Sequence, residues 1–350
     1  MKNIQIRNHE IGPDCRPFIV AEMSGNHNQS LERALQIVRA AANTGVQALK
    51  LQTYTADTMT LDLGDKEFFI SDKDSLWSGK SLYKLYQQAF TPWEWHKRIF
   101  DECETLGLVC FSTPFDESAV DFLETLKVPC YKIASFENAH LPLIKKVAST
   151  RKPMLISTGM ASIAELHETV QAARAAGCRD LILLKCTSSY PASPENTNLR
   201  TIPHMQQLFN CHVGLSDHTM GIGVAVASVV FGARIIEKHF TLRRADGGVD
   251  SAFSMEPHEM TSLVQDSERA WRSLGNINYG ASEGEERSMI FRRSLFVSRD
   301  MQKGDVFSTD NVRIIRPGQG LAPKFYDIVM GRKARTEIRK GTPLGWNLIE

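Results

Sequence analysis

Short apolar runs recur along the chain, and amphipathic stretches separate them. The runs are "FIVAEM" (Phe18–Met23), "ALKLQT" (Ala48–Thr53), "LVCFSTP" (Leu108–Pro114) and "CYKIAS" (Cys130–Ser135). They continue with "PMLISTG" (Pro153–Gly159), "LILLKCT" (Leu181–Thr187), "CHVGLSD" (Cys211–Asp217) and "ARIIEKHF" (Ala233–Phe240). Each is close to continuous in apolar residues, the pattern of a strand covered on both faces. The stretches between them carry helix punctuation. "SLERALQIVRAAANTG" opens on Ser30 as an N-cap and closes on Gly45 as a C′ residue, and "SIAELHETVQAARAAG" repeats the pattern from Ser162 to Gly177. Strands alternating with helices imply a parallel sheet. Eight of them fit a closed (β/α)8 TIM barrel better than the alternative, an open doubly wound sheet.

Two segments depart from the alternation. About 40 residues, Tyr54 to Trp95, separate the second strand from the next clear helix and include "DSLWSGKSLYKLYQQAFTPWEWH". A long insertion after a barrel strand lies on the catalytic face, so it either shapes a pocket or forms a surface excursion with its own Trp and Tyr core. The barrel pattern stops near Leu274. The expected organisation is a barrel over residues 1–274, a polar, Gly-rich linker over 275–290, and a β-rich tail over 291–350. The tail contains a faint echo, "KGDVFSTDNV" (Lys303–Val312) and "KGTPLGWNLI" (Lys340–Ile349), each read as strand, turn, strand. A segment this short is marginal alone, so it should pack on the barrel or on a partner subunit.

Composition narrows the function. The 350 residues are 42% hydrophobic and 23% charged, with a formal net charge of +1. A nearly neutral chain gives no reason to expect nucleic acid or an acidic membrane surface as partner. No apolar run is long enough to span a bilayer, and "MKNIQIRNHEIG" is no signal peptide. Seven cysteines form neither a CxxC motif nor a disulfide framework, which favours a reducing cytoplasm. Cys110, Cys130, Cys186 and Cys211 sit within apolar runs and read as small hydrophobes. The sequon Asn28-Gln29-Ser30 is a chance match in such a chain.

Two nucleotide-binding patterns fail. "SGKS" (Ser78–Ser81) resembles the end of a phosphate-binding loop, but the required glycine is Asp74. "GIGVAV" (Gly221–Val226) lacks the third glycine of a dinucleotide fingerprint.

Barrel active sites form at the C-terminal ends of the strands, and here every end is polar. The first gives Glu22, then Asn26 and His27; the second Lys50 and Gln52; the third Ser112 and Thr113; the fourth Lys132, Ser135 and Glu137. The fifth gives Ser157 and Thr158, the sixth Lys185, Thr187 and Ser188, the seventh Ser216, Asp217 and His218, the eighth Glu237, Lys238 and His239. Unpaired, such buried groups would cost ~1–3 kcal/mol each, so they should face a polar ligand or water. Lysines on separate strands with a ring of hydroxyls suit a small phosphate- or carboxylate-bearing anion. Glu22, Glu137 and Asp250 supply acceptors for sugar hydroxyls or a general base. His218 and His239 end adjacent strands, so their imidazoles can share a divalent metal completed by water, substrate or a carboxylate; two hydrogen-bonding histidines without metal are the alternative.

The order of "FIVAEMSGNHNQS", "ALKLQTY", "FSTPFD", "YKIASFE", "ISTGM", "LKCTSSYP", "GLSDHT" and "IEKHFT" resembles the sialic acid synthase family. The tail, with "RRSL" (Arg292–Leu295) and "RPGQG" (Arg316–Gly320), resembles the antifreeze-like SAF (β-clip) domain that follows the barrel there. "KLQTYTADTMTL" and "SLWSGKSLYKLYQQAFTPWEWH" look most like the pseudaminic acid synthase branch.

The resemblance implies a transferase that condenses phosphoenolpyruvate with the open-chain aldehyde of an N-acylated amino sugar, releasing phosphate. In this branch the sugar would be 2,4-diacetamido-2,4,6-trideoxy-L-altrose; sister enzymes make N-acetylneuraminic or legionaminic acid, and a non-catalytic carbohydrate-binding protein is the remaining alternative. By resemblance, Lys50, Thr113, Lys132, Ser135, Ser157 and Ser216 hold phosphoenolpyruvate. His218 and His239 hold the metal, with Mn²⁺ or Mg²⁺ expected. Glu22, Gln52, Tyr190 and Asp250 serve the sugar, and Glu137 helps activate water. Arg316 reaches the barrel of the other subunit in a domain-swapped homodimer. The chain departs from the family at Lys185 and Ser188, where other branches carry His and Asn.

Overall fold

The computed structural model describes residues 1–350 apart from Asp65 and Asp74, so the residue that excludes the phosphate-loop reading lies outside the described ones. The chain divides into two compact units, Met1–Gly275 and Asn276–Glu350.

The first unit is a closed eight-stranded parallel barrel. Its strands are β1 (Phe18–Glu22), β2 (Ala48–Thr53), β3 (Val109–Pro114) and β4 (Tyr131–Ile133). The remaining four are β5 (Met154–Ser157), β6 (Leu181–Cys186), β7 (His212–Ser216) and β8 (Ile235–His239). All eight fall inside the apolar runs, and β8 closes on β1 with His239 beside Glu22. Among the described residues no helix is long and apolar enough to cross a membrane.

The side chains sort by strand parity, because successive residues of a strand face opposite sides. Phe18 and Val20, Ala48, Val109 and Phe111, Ile182 and Leu184, and Ile235 fill the barrel interior as one cluster. Ile19 and Ala21, Leu49 and Leu51, and Ile236 face the helices instead, and so do Leu181 and Leu183 on the other flank. Gly214 in β7 belongs to the crowded interior. A Cβ there would lie 2.4 Å from the Ile235 carbonyl oxygen, so no other residue fits.

The N-terminal residues, which carry no element in the sequence reading, form a hairpin of Ile4–Ile6 and His9–Ile11. Ile4, Ile6 and Ile11 join the interior cluster and plug the N-terminal end of the barrel. Strands three residues long are too short to show a period, which is why the pattern misses them.

Helix caps follow the sequence. The Ser30 side chain accepts from Arg33 N and Gly45 closes the helix Leu31–Thr44 at φ 85°. Ser162 and Glu165 form a capping box at the start of Ile163–Ala175. The long insertion contains helices Ala56–Met59 and Leu82–Ala89 before the helix Trp93–Thr105. Tyr54 stacks edge-on against Tyr86 and Phe115, at 5.8 and 5.1 Å between ring centres.

The second unit pairs Ser294–Val297 antiparallel with Val312–Ile315 around a core that includes Leu295, Val297, Phe307 and Leu344. Gly304 and Gly341 hold equivalent left-handed turns, at φ 89° and 88°, so the sequence echo is a structural repeat of the turn. The second copy ends in a 3₁₀ turn, Trp346–Leu348, where a strand is expected. Of residues 275–290, read as a linker, all but Gly275 fall within this unit, and a 3₁₀ turn runs from Glu286 to Phe291.

Candidate functional site

A cavity of about 740 Å³ opens at the C-terminal ends of the strands. Its floor is a buried charge network built by parity, since Glu22, Lys50, Lys132 and Glu237 share the inward-facing register of β1, β2, β4 and β8. Lys50 Nζ lies 2.9 Å from Glu22 Oε2 and 3.4 Å from Glu237 Oε1. Lys132 Nζ is 3.4 Å from the same Glu237 oxygen. Lys50 also donates to Thr113 Oγ1 at 3.1 Å, Gln52 Nε2 donates to Glu22 Oε1 at 3.0 Å, and Ser216 Oγ donates to Glu237 Oε1 at 3.3 Å.

The carboxylates differ. Burial pushes the Glu22 carboxyl above its usual range despite Lys50. Burial acts the same way on Glu237, but two lysines outweigh it and hold that group below its usual range. Burial lowers the Lys132 ammonium, whereas at Lys50 the two glutamates overcome burial and raise it. Two lysines share the Glu237 carboxylate while Glu22 is pushed toward its neutral form, so the floor leans positive and suits an anion.

Hydroxyls ring that floor. Ser157 Oγ is buried and has no hydrogen-bond partner. Ser188 Oγ donates to Ser135 Oγ at 2.7 Å. Gly159, at φ 49°, lets the β4 and β5 loops meet here; a Cβ on it would come within 2.6 Å of Ser135 Cβ. Glu137 faces the cavity with Oε2 unpartnered, and burial raises its pKa from 4.5 to about 7. A carboxyl whose folded pKa is raised stabilises the fold fully below its unfolded value, and that contribution is lost as pH rises through the folded value. Glu137→Gln should therefore flatten the fall in stability between pH 4.5 and about 7, read by denaturant unfolding across that window.

His218 and His239 stand above the floor, 5.4 Å apart between ring centres. His218 Nδ1 donates to the Thr187 carbonyl at 2.9 Å, which leaves Nε2 as the nitrogen able to accept, and against burial the Cys186 thiol beside the ring raises its pKa. His239 Nδ1 is buried without a hydrogen-bond partner, 3.8 Å from Asp250 Oδ2. Burial and then the neighbouring cations hold His239 neutral, far below its ordinary pKa. Asp250 accepts a short hydrogen bond from Ser24. The Tyr190 ring packs 4.4 Å from His218. Among the described residues no group of three or more His, Cys, Asp and Glu side chains forms a metal cage. The donor set fits an ion held by two neutral imidazoles with its other positions open to water or substrate.

Several strand-end residues turn away. Lys185 points out of the cavity and donates to the Cys186 carbonyl and Thr187 Oγ1, at 2.9 and 3.0 Å. Cys186, expected to pack as a small hydrophobe, lines the cavity instead. Its thiol contacts His218, which outweighs burial and lowers its pKa to about 7. Lys238 is also outward, 2.8 Å from Asp217 and bonded to the Thr219 and Gly221 carbonyls, a buried clamp behind β7 and β8. Asn26 binds the Phe240 carbonyl and Ser254, and His27 binds Thr91. Glu22 and Thr113 lie beneath the cavity surface, behind Lys50 and Gln52, while Gln52, Tyr190 and Asp250 line it.

The insertion after β2 supplies one wall through Met59, Ile70, Trp77, Leu82 and Tyr86, so it shapes the pocket as well as holding aromatic contacts of its own. In the second unit Arg316 is exposed on the "RPGQG" loop. Ser294 Oγ pins that loop by donating to the Pro317 carbonyl at 2.7 Å and accepting from Gly320 N at 2.9 Å.

Comparison with known proteins places this site in context. Residues 37–279 match the NeuB family and residues 292–350 match the SAF domain. The chain is 42% identical over 331 residues to pseudaminic acid synthase of Campylobacter jejuni, covering 95% of this chain and 96% of that protein. It is 36% identical to N,N'-diacetyllegionaminic acid synthase of Legionella pneumophila, covering 97% and 96%. Among solved structures it resembles the N-acetylneuraminic acid synthetase of Leptospira borgpetersenii in complex with citrate. The TM-score is 0.73 and the identity 28%, over 82% of this chain and 95% of that one.

Proposed function

The chain belongs to the NeuB family, with an SAF domain after the barrel, and from that premise we propose that it is a pseudaminic acid synthase. The reaction joins phosphoenolpyruvate to 2,4-diacetamido-2,4,6-trideoxy-L-altrose in its aldehyde form. The similarity to a Campylobacter pseudaminic acid synthase supports the branch. The observation that carries the chemistry is the meeting, in one cavity, of two buried lysines, an unpartnered serine hydroxyl and a pair of neighbouring histidines.

Lys50, Lys132, Ser135, Ser157 and Ser216 hold the phosphate and carboxylate of phosphoenolpyruvate, with Thr113 orienting Lys50 from below. Gln52, Tyr190 and Asp250 face the sugar, and Glu22 fixes Gln52. His218 and His239 would hold Mn²⁺ or Mg²⁺, which when bound supplies Lewis-acid polarisation of the aldehyde. The C2=C3 π pair of phosphoenolpyruvate forms the new bond from C3 to the aldehyde carbon, the aldehyde C=O π bond breaks, and its oxygen takes up a proton from solvent to become a hydroxyl. Water adds at C2 and Glu137 accepts one of its protons; the C2–O bond to phosphate then breaks as the new C2 hydroxyl becomes the ketone, its proton leaving with the phosphate. Phosphoenolpyruvate, sugar and water thus give the nine-carbon 2-keto acid and inorganic phosphate. A homodimer in which Arg316 of one subunit serves the barrel of the other belongs to the same proposal.

Phosphate release tests it, with the altrose sugar and Mn²⁺, with and without chelator. Release that requires both sugar and metal is the expected result. Equal or better release with N-acetylmannosamine would place the chain among the N-acetylneuraminate synthases instead.

A further inference from the structure

The cavity has two chemically distinct halves. Its floor is charged and hydroxylated, while the wall above it is largely apolar: Met59, Ile70, Leu82, Phe115 and Phe136 line it with Trp77, and Asp72 and Ser75 are its polar members. Phe136 is 64% exposed, an apolar surface waiting for cover at the mouth of a polar site. Trp77 is held across this mouth. Its Nε1 donates to the Val249 carbonyl at 2.8 Å, tying the insertion after β2 to the loop that presents Asp250. Its ring leans on Tyr190, 5.8 Å between centres, and Tyr190 in turn packs on His218.

We propose that Trp77 is a specificity-determining residue, which with the apolar wall selects sugars bearing methyl groups over polyhydroxylated ones. The inference rests on the reading that the cavity takes an acylated sugar aldehyde. A 2,4-diacetamido-2,4,6-trideoxyhexose carries three methyl groups, one on each acetamide and one at C6. N-acetylmannosamine carries one, with hydroxyls at C4 and C6. A hydroxyl placed against the apolar side chains of this wall, away from Asp72 and Ser75, loses water and gains no partner, whereas a methyl loses only unfavourable hydration. Each methyl-sized group in an apolar pocket discriminates by about 10–200-fold. The indole N–H is already used by Val249, so the ring offers the sugar an apolar face.

The test compares kcat/KM for three sugars: the altrose derivative, a 2,4-diacetamido-2,4,6-trideoxyhexose of another configuration, and N-acetylmannosamine. Wild type, Trp77→Ala, Trp77→Phe and Phe136→Ser are assayed, each with a thermal melt. Phe136 is mostly solvent-exposed, so its replacement probes the wall without threatening the fold. Wild type should favour both trideoxy sugars over N-acetylmannosamine. Trp77→Ala should cut kcat/KM for them about 10-fold or more and narrow the preference, with KM for phosphoenolpyruvate unchanged. Phe136→Ser should act in the same direction, and Trp77→Phe should keep most of the preference. A wild type that works best on the other trideoxy configuration overturns the pseudaminic reading and leaves this inference standing. A preference unchanged in folded Trp77→Ala and Phe136→Ser, or an equal loss with all three sugars, overturns the inference and leaves the reading standing. A wild type silent with all three overturns both.

Discussion

Lys50→Met should lower the stability of the barrel by ~3–5 kcal/mol and reduce kcat by about 10²–10³-fold or more. The lysine is the ion-pair partner of Glu22 at 2.9 Å and one of two for Glu237 at 3.4 Å. A methionine of similar length fills its volume but leaves two carboxylates facing each other in a dry interior. One of them must then hold a proton at neutral pH. Burial already pushes Glu22 up, and loss of the lysine moves it further in that direction. A folded pKa raised above the unfolded value gives stability that is present at low pH and lost as pH rises through the folded value. The deficit of Lys50→Met should therefore be smallest in acid and grow toward neutral pH. Denaturant unfolding of both proteins at pH 5 and pH 8, with phosphate release at the higher pH, checks both parts. A variant equally stable at both values and still active would remove Lys50 from the centre of the network.

That network shows what a sequence can reveal and where strand parity is needed. Continuity of apolar residues locates all eight strands, because both faces of a barrel strand are covered and the run is therefore unbroken. Continuity also hides the period of two that separates the inside from the outside. Lys185 and Cys186 both end β6, and Glu237 and Lys238 both end β8. The inward register of Ile182 and Leu184 continues to Cys186, and that of Ile235 continues to Glu237. Lys185 and Lys238 have the opposite parity and bind carbonyls and Asp217 behind the barrel. Applied to the runs, parity alone brings Cys186 and Glu237 into the site and removes the two lysines. It also separates the two departures from the family pattern: Lys185 faces away, and Ser188 stays in the cavity on Ser135. The apolar wall was less legible, since the insertion has no strict period and its Trp and Tyr residues read equally as core. Three-dimensional closure over β2 decides which of them meet the cavity.

His218→Ala and His239→Ala should each abolish turnover while leaving the barrel folded. Both rings pack on Phe253 at the edge of the cavity, outside the apolar clusters that hold the barrel together, and His239 has bonding capacity that the fold does not use. His218 spends Nδ1 on the Thr187 carbonyl, which fixes its tautomer, and His239 keeps Nδ1 without a hydrogen-bond partner in a buried position. At His239 a buried unpartnered nitrogen costs free energy, so removing it should cost the fold little, whereas His218→Ala also gives up the bond to the Thr187 carbonyl, worth about 1 kcal/mol, which the barrel can bear. At His239 that small cost separates a ligand-binding role from a structural one. A structural histidine, such as His96 with its 2.8 Å contact to Thr53, would instead destabilise the protein when truncated. Mn²⁺ binding by calorimetry should weaken by about 10²-fold or more in either variant, beyond the 10–100-fold typical of losing an outer partner of a metal ligand. Wild-type Mn²⁺ affinity in either variant, or full turnover by one stripped of metal, would return the pair to hydrogen bonding alone. The two substitutions should also fail to add, because a site with only two protein donors is already lost when one is gone.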